Sequence, residues 1–371
     1  MILTTGIGSH PINDVNQIYQ DLRNLSMPYF PQLKIENMLY DYHRIIPGLN
    51  FHSGRLVLDL SQFRIEKDID EFKNDLIMRR SLLKRRNFDL MEFPLKGLQE
   101  FRNFLSNNNS NIYGIKGQIT GPLSESYVIK VEPVNKKSMD IPEFMELIVQ
   151  ATSEIAYTID SELNHLAYKF VNNSKSATIF IDEPLLAIVL KELDQKTAAY
   201  YLEEVLKSIS GRRGIHICDN IVSIGDFLLD LPINVISFDA RSYPKTIQFL
   251  DDKKVLKFLN EGGGFALGLT PNTPESLVGE ENIEKLQRDE LNIKDYLPST
   301  DSLIKDFEEI LNDFINKGID TKLVIKNLIL TPQCGFQSFT IPTPERGEQI
   351  VRELLLIQEK TARSIEKKFS L

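Results

Sequence analysis

Short apolar runs alternate with longer amphipathic stretches along the whole chain, and this alternation most limits how it can fold. Runs of strand type cover residues 2–5, 54–60, 112–119, 177–181, 214–218, 234–238 and 324–330, with another beginning at Phe265. Segments with helical apolar spacing separate them: 14–25, 65–86, 95–105, 185–209, 221–229, 253–259 and 299–317. A longer one opens at Pro142 and continues through Phe170, and the last runs from Thr343, as N-cap, to about Phe369. Alternation of this kind builds parallel βαβ units, whose strands are buried on both faces and so read as continuously apolar. About eight strands in 371 residues fit an α/β fold of the (β/α)8 TIM-barrel type with additional N-terminal and loop elements. One domain over 1–371 follows, with the polar, charge-rich stretch 272–298 as an insertion. A doubly wound open sheet competes, but it brings the fifth and eighth strands together less readily.

The polar residues that stand out all follow strands: Ser9, Thr120, Asp182, His216 with Cys218, Asp239 and Cys334. In a barrel of this type such residues converge at the C-terminal face. In Gly214-Ile215-His216-Ile217-Cys218 the polar pair alternates with isoleucines, the period-two pattern of a strand with one polar face. Residues i and i+2 lie about 6.6 Å apart on the same side, a gap that zinc bonds of about 2.0 Å to nitrogen and about 2.3 Å to sulfur can bridge. The one other cysteine, Cys334, sits in Pro332-Gln333-Cys334-Gly335. The expectation is a zinc site on His216, Cys218 and Cys334, with an acidic fourth ligand. The plain alternatives are two inert core thiols, and helix or loop capping by Asp182, Glu183 and Asp239.

A net charge of −9 argues against a nucleic-acid groove, and the basic cluster Lys84-Arg85-Arg86 is flanked by acids, as on a solvated helix face. No apolar run reaches the roughly 18 residues of a membrane span. The N-terminus lacks the basic and apolar regions of a signal peptide. Two cysteines make no disulfide framework, so a reducing cytoplasm is expected. Gly262-Gly263-Gly264 is too short and badly placed to cradle phosphate.

Five stations, in order, resemble the catalytic domain of the cobalamin-independent methionine synthase family. They are Thr4-Thr5-Gly6-Ile7-Gly8-Ser9-His10-Pro11, Lys116-Gly117-Gln118-Ile119-Thr120-Gly121-Pro122, Ile181-Asp182-Glu183-Pro184, His216-x-Cys218 and Pro332-Gln333-Cys334-Gly335. The similarity between stations is poor. The resemblance implies a zinc-bearing (β/α)8 barrel that transfers a methyl group to the thiol of homocysteine, forming methionine. It implies zinc ligands at His216, Cys218 and Cys334, and Asp239 at the place of a ligand glutamate. Ser9 and Asp182 match positions that hold the amino-acid part of homocysteine, and Glu92 is offered as the second acid there. No catalytic residue is assigned beyond the metal site.

Three departures set the chain apart. It resembles the short, single-barrel form, half the length of the two-barrel enzymes. His10 stands where the family usually has phenylalanine, and is a residue to test for substrate contact. Leu269 stands where the long enzymes carry a catalytic histidine. Its likeness to the short members of the family implies a methylated corrinoid (methylcobalamin or a corrinoid protein) rather than a folate as methyl donor. Three other readings stay open: a zinc-dependent alkyltransferase acting on another thiol such as coenzyme M, a metal-free uroporphyrinogen decarboxylase-like protein, and a zinc-stabilised scaffold without chemistry.

Overall fold

The computed structural model describes residues 1–43, 46, 48–52, 54–59, 74, 96–107, 112–171 and 177–369. The helical expectation over 65–86, with its basic cluster at 84–86, therefore lies outside the described residues, apart from Asn74. So does Glu92.

Among the described residues, the centre is a curled, parallel sheet of seven strands. In chain order these are β1 (Leu3–Thr4), β4 (Lys116–Thr120), β7 (Thr178–Asp182), β8 (Arg212–Ile217), β9 (Val235–Phe238), β10 (Gly264–Thr270) and β11 (Ile329–Pro332). Their order across the sheet is β1-β11-β10-β9-β8-β7-β4. Strands β4, β7, β9, β10 and β11 are buried along their whole length, as strands of a parallel sheet covered on both faces are.

The expected closed barrel of eight regular strands needs correction. Among the described residues, the regular sheet is open between β1 and β4, and the sequence run at 54–60 does not fill the gap. It forms β3 (Arg55–Asp59) of a separate four-stranded sheet with β2 (Leu49–His52), β5 (Lys130–Glu132) and β6 (Lys136–Lys137). That small sheet has its own core, where Leu49, Leu56, Leu58 and Val131 pack on Phe144, Leu147 and Ile148 of the helix Pro142–Phe170.

The open edge is spanned instead by residues 27–32, a segment the sequence presents as a loop between Pro28 and Pro31. Met27 N donates to Thr4 O at 3.0 Å, Phe30 N to Lys116 O at 2.9 Å, and Gln32 N to Gly8 O at 2.9 Å. It makes isolated parallel bridges, Ser9 to Gln32 and Tyr29 to Lys116, rather than a strand. Proline has no N–H to give a ladder, so this segment can neither pair regularly nor read as a strand in sequence.

A second correction concerns residues 324–330. The side chain of Asp320 accepts from Lys322 N at 2.7 Å and starts a helix, Thr321–Lys326, before β11 begins at Ile329. The strand thus ends later than expected, and Cys334 follows two residues beyond it. The helical region 185–209 is likewise two helices, Leu186–Val189 and Gln195–Leu206, the second started by Asp194. The boundaries agree closely at Pro142–Phe170, Thr300–Asn316 capped by Ser299, and Pro344–Lys368 capped by Thr343, whereas the strand expected at 112–119 begins only at Lys116 and the helix expected at 221–229 at Gly225. The stretch 272–298 forms short helices that bury Leu277, Val278, Leu286 and Ile293 in the main core.

The sheet separates two apolar layers. Alternate side chains face the surrounding helices in one large cluster that includes Ile215, Ile217, Phe238 and Leu330. The others face inward, where Leu3, Ile7, Met27, Phe180, Val235, Ala266 and Ile329 make a smaller inner cluster against which Cys334 packs. Each such fully buried aliphatic side chain contributes about 1.5–3 kcal/mol relative to exposure.

Of the histidines, His43 has the clearest consequence for stability. It is completely buried, with Nε2 2.9 Å from Thr152 Oγ1 and Nδ1 3.4 Å from Glu125 Oε1. Burial holds its imidazole down at about 4, against a weaker opposing effect of the Leu39 carbonyl. A depressed histidine is neutral in the fold and charged in the unfolded chain between its folded value and the ordinary 6.5. In that window the unfolded state binds more protons, so stability falls as pH drops from 6.5 towards 4, by about 3 kcal/mol in all. We expect a plot of melting temperature against pH to show this loss, and His43→Gln to flatten it.

Candidate metal centre

Pairing of the strands sets Thr120, Asp182, His216 and Ser237 side by side in one row across β4, β7, β8 and β9. Isoleucines 215 and 217 face the helix layer, so His216 must face inward and Cys218 continues on its side. The curl then brings the end of β11 opposite the end of β8. His216, Cys218 and Cys334 have one ligand atom each within 4.8 Å of one another, as a group of three. His216 Nε2 is 3.0 Å from Cys218 Sγ, and Nδ1 is 3.0 Å from Ser237 Oγ.

The two thiols lie close enough to act on each other, so one ionises at the other's expense. Cys334 is drawn well below the ordinary thiol range, first by its hydrogen bond with Cys218, with His216 adding to the effect against burial. Cys218 is pushed up by its hydrogen bond with Cys334, by burial, and by the nearby charges of Asp182 and Asp239. Both are free cysteines.

The donor set suits zinc. An ion bonded at about 2.0 Å to nitrogen and about 2.3 Å to sulfur keeps tetrahedral donors about 3.5–3.8 Å apart, and the three atoms need only small side-chain adjustments to meet that. A hydrogen bond from Nδ1 to the buried Ser237 hydroxyl would fix the tautomer that leaves Nε2 free to ligate. Asp239 is not in the group. Its carboxylate accepts from Gln333 Nε2 at 3.0 and 3.1 Å and from Ser242 N at 2.9 Å.

The expected substrate residues are divided. Asp182 is buried beside the centre, with Oδ1 lacking a hydrogen-bond partner. Burial lifts its carboxyl to about 6, opposed by His216 and Lys116 and aided by Cys334. Ser9 lies against the loop that carries Cys334. Phe336 N donates to Ser9 O at 2.8 Å, and a Cβ on Gly335 would fall 2.0 Å from Ser9 Oγ, so the Cys334 loop and the Ser9 loop touch. Gly8 holds φ at +71°, and a Cβ there would strike Gln118 Nε2.

His10 is accounted for otherwise. It is fully buried, with Nδ1 3.1 Å from both oxygens of Glu348 and Nε2 2.5 Å from Tyr29 Oη, so neither ring nitrogen is left for substrate. Glu183 does cap a helix, but a different one from the helix that follows it. It accepts from Leu123 N at 2.9 Å and Ser124 N at 2.7 Å at the start of Pro122–Val128. Leu269 is buried near the end of β10.

Sequence reasoning missed three residues. Ser237 could have been found, since it shares a strand face with Asp239 by period two. Gln333 and Ser242 carry no pattern of their own. Lys116, read as part of a motif, proves to be a completely buried ammonium, donating to Gln118 Oε1 at 2.5 Å and lying 4.7 Å from the Phe180 ring centre. Burial lowers it to about 8.

No family model matches the sequence, and no curated protein is detectably similar to it. Among solved structures, the fold is similar to that of a B12-independent methionine synthase from Shewanella sp. W3-18-1 in complex with selenomethionine. The two are 11% identical, with a TM-score of 0.59 over 100% of each chain. A methyltransferase from Methanosarcina mazei is 12% identical, with a TM-score of 0.48 over 95% of this chain and 93% of that one. Among the described residues, no helix is long and apolar enough to cross a membrane.

Proposed function

We propose that this chain belongs with the cobalamin-independent methionine synthases and is a zinc-dependent methyltransferase acting on the thiol of homocysteine. The observation that carries the reading is the meeting of His216, Cys218 and Cys334 within 4.8 Å, in a fold shared with a methionine synthase. His216, Cys218 and Cys334 would hold the ion, with Asp239 near enough to act on the Cys218 thiol. Bound zinc would supply deprotonation of the incoming thiol while leaving its sulfur soft and nucleophilic.

The remaining residues bind and orient. Ser237 holds the His216 ring, and the inner apolar cluster under Cys334 keeps water from that side of the site. Ser9 and the 6–9 backbone would receive the amino acid, and the unpartnered Asp182 oxygen would take its ammonium group. An acid placed for an ammonium favours homocysteine over coenzyme M, which has none. Leu269 offers no proton donor where the long enzymes have histidine, which supports a methylated corrinoid over a folate as donor. Two free thiols fit a cytoplasmic setting.

Calorimetric titration of homocysteine into zinc-loaded protein, repeated in buffers of different ionisation enthalpy, tests the reading. About one proton should leave per site on binding, because a metal-held thiol gives up its proton. Binding without proton release, or equal binding to zinc-stripped protein, would count against it.

A further inference from the structure

Asp239 follows β9 and Gln333 follows β11, and the two side chains meet across the mouth of the sheet. Both carboxylate oxygens of Asp239 accept from Gln333 Nε2, which also donates to Ser242 Oγ at 2.8 Å, while Ser242 N donates to Asp239 Oδ1 at 2.9 Å. A carboxylate only accepts, so the amide must turn its NH2 towards Asp239. Gln333 holds this orientation although Oε1 is then buried without a partner. That is a costly arrangement for an amide unless the contact with Asp239 repays it.

We infer that Gln333 and Ser242 form a latch that draws Asp239 off the metal, leaving a resting centre of three protein ligands with its fourth position open to thiol. The inference rests on the zinc reading. Charge explains why a latch is useful. Zinc with two thiolates and one imidazole is neutral overall, whereas a third anion makes a buried centre negative, which is expensive. A carboxylate in the fourth position would also compete with the incoming sulfur. The incoming thiolate is itself an anion, so it and Asp239 exclude each other from the fourth position, and the latch settles that competition in favour of the sulfur. Asp239, with a side chain one methylene shorter than glutamate's, is more easily held back.

Zinc affinity, read by chelator competition, should separate the latch from a resident ligand. In Gln333→Leu the freed carboxylate reaches the metal, so zinc should bind about tenfold tighter and homocysteine correspondingly weaker. Asp239→Asn alone should change zinc affinity by less than about threefold, and Asp239→Asn added to Gln333→Leu should remove the gain. The visible spectrum of the cobalt(II)-substituted protein should change on Gln333→Leu and revert in the double variant. Gln333→Ala removes the amide without adding bulk, and must give the same direction. The latch is overturned if both Gln333 variants leave zinc affinity unchanged in folded protein. A hundredfold loss in Asp239→Asn alone also overturns it, by showing a resident ligand. Wild-type protein that takes up no zinc rejects the metal reading itself and the latch with it.

Discussion

Zinc content is expected to fall to background in Cys218→Ser and in Cys334→Ser, and thiol methylation from methylcobalamin with it. Serine keeps the volume and a hydrogen-bonding atom, so the fold should survive; its hydroxyl ionises far too weakly to replace a thiolate. Loss of an outer partner of a metal ligand already costs about 10- to 100-fold in metal affinity, so loss of a ligand should cost more than about 100-fold. The two variants should be equally damaging although the residues are 116 positions apart, because each supplies one of three donor atoms in the same group. Ser237→Ala, which removes only the partner of His216 Nδ1, should lose the smaller amount. Metal analysis after gentle purification, with circular dichroism to confirm folding, decides the matter. A Cys334→Ser protein that keeps full zinc would remove the basis of the proposed function.

The second large effect belongs to Asp182. Asp182→Asn should raise the KM for homocysteine by about 30-fold or more, since removing one member of a buried charge pair costs about 2–5 kcal/mol. Asparagine keeps shape and one acceptor oxygen but not the charge that an ammonium needs. Zinc affinity should be nearly unchanged, because Asp182 lies outside the group of donor atoms. A thiol without an amino group, such as coenzyme M, should be used equally poorly by both proteins. Equal loss with both thiols would show that Asp182 acts on the centre as a whole, through His216 or Lys116, rather than on the amino group. The unpartnered Oδ1 argues for action on the amino group, since a buried acceptor left open is one that a ligand can fill.

Much of this was legible in one dimension because strands and helices impose local periods. Alternation in Ile215-His216-Ile217-Cys218 put imidazole and thiol on one face, and the short, mostly apolar runs at 177–181 and 234–238 marked strands covered on both sides. Proline at the first helical position with Thr343 before it located the start of Pro344–Lys368. What tertiary structure alone decided are the pairings that no local period encodes. Residues 27–32 bridge β1 and β4 despite two prolines because their remaining N–H groups meet the carbonyls of both edges. The 54–60 run, a good strand by composition, goes to the small sheet because Leu56 and Leu58 find the face of Pro142–Phe170 there. Cys334 reaches Cys218, and Gln333 reaches Asp239, because the curl of the sheet brings the ends of distant strands to one rim. Sequence spacing fixes which side of a strand a residue occupies, whereas the long-range pairing of strands fixes what it faces.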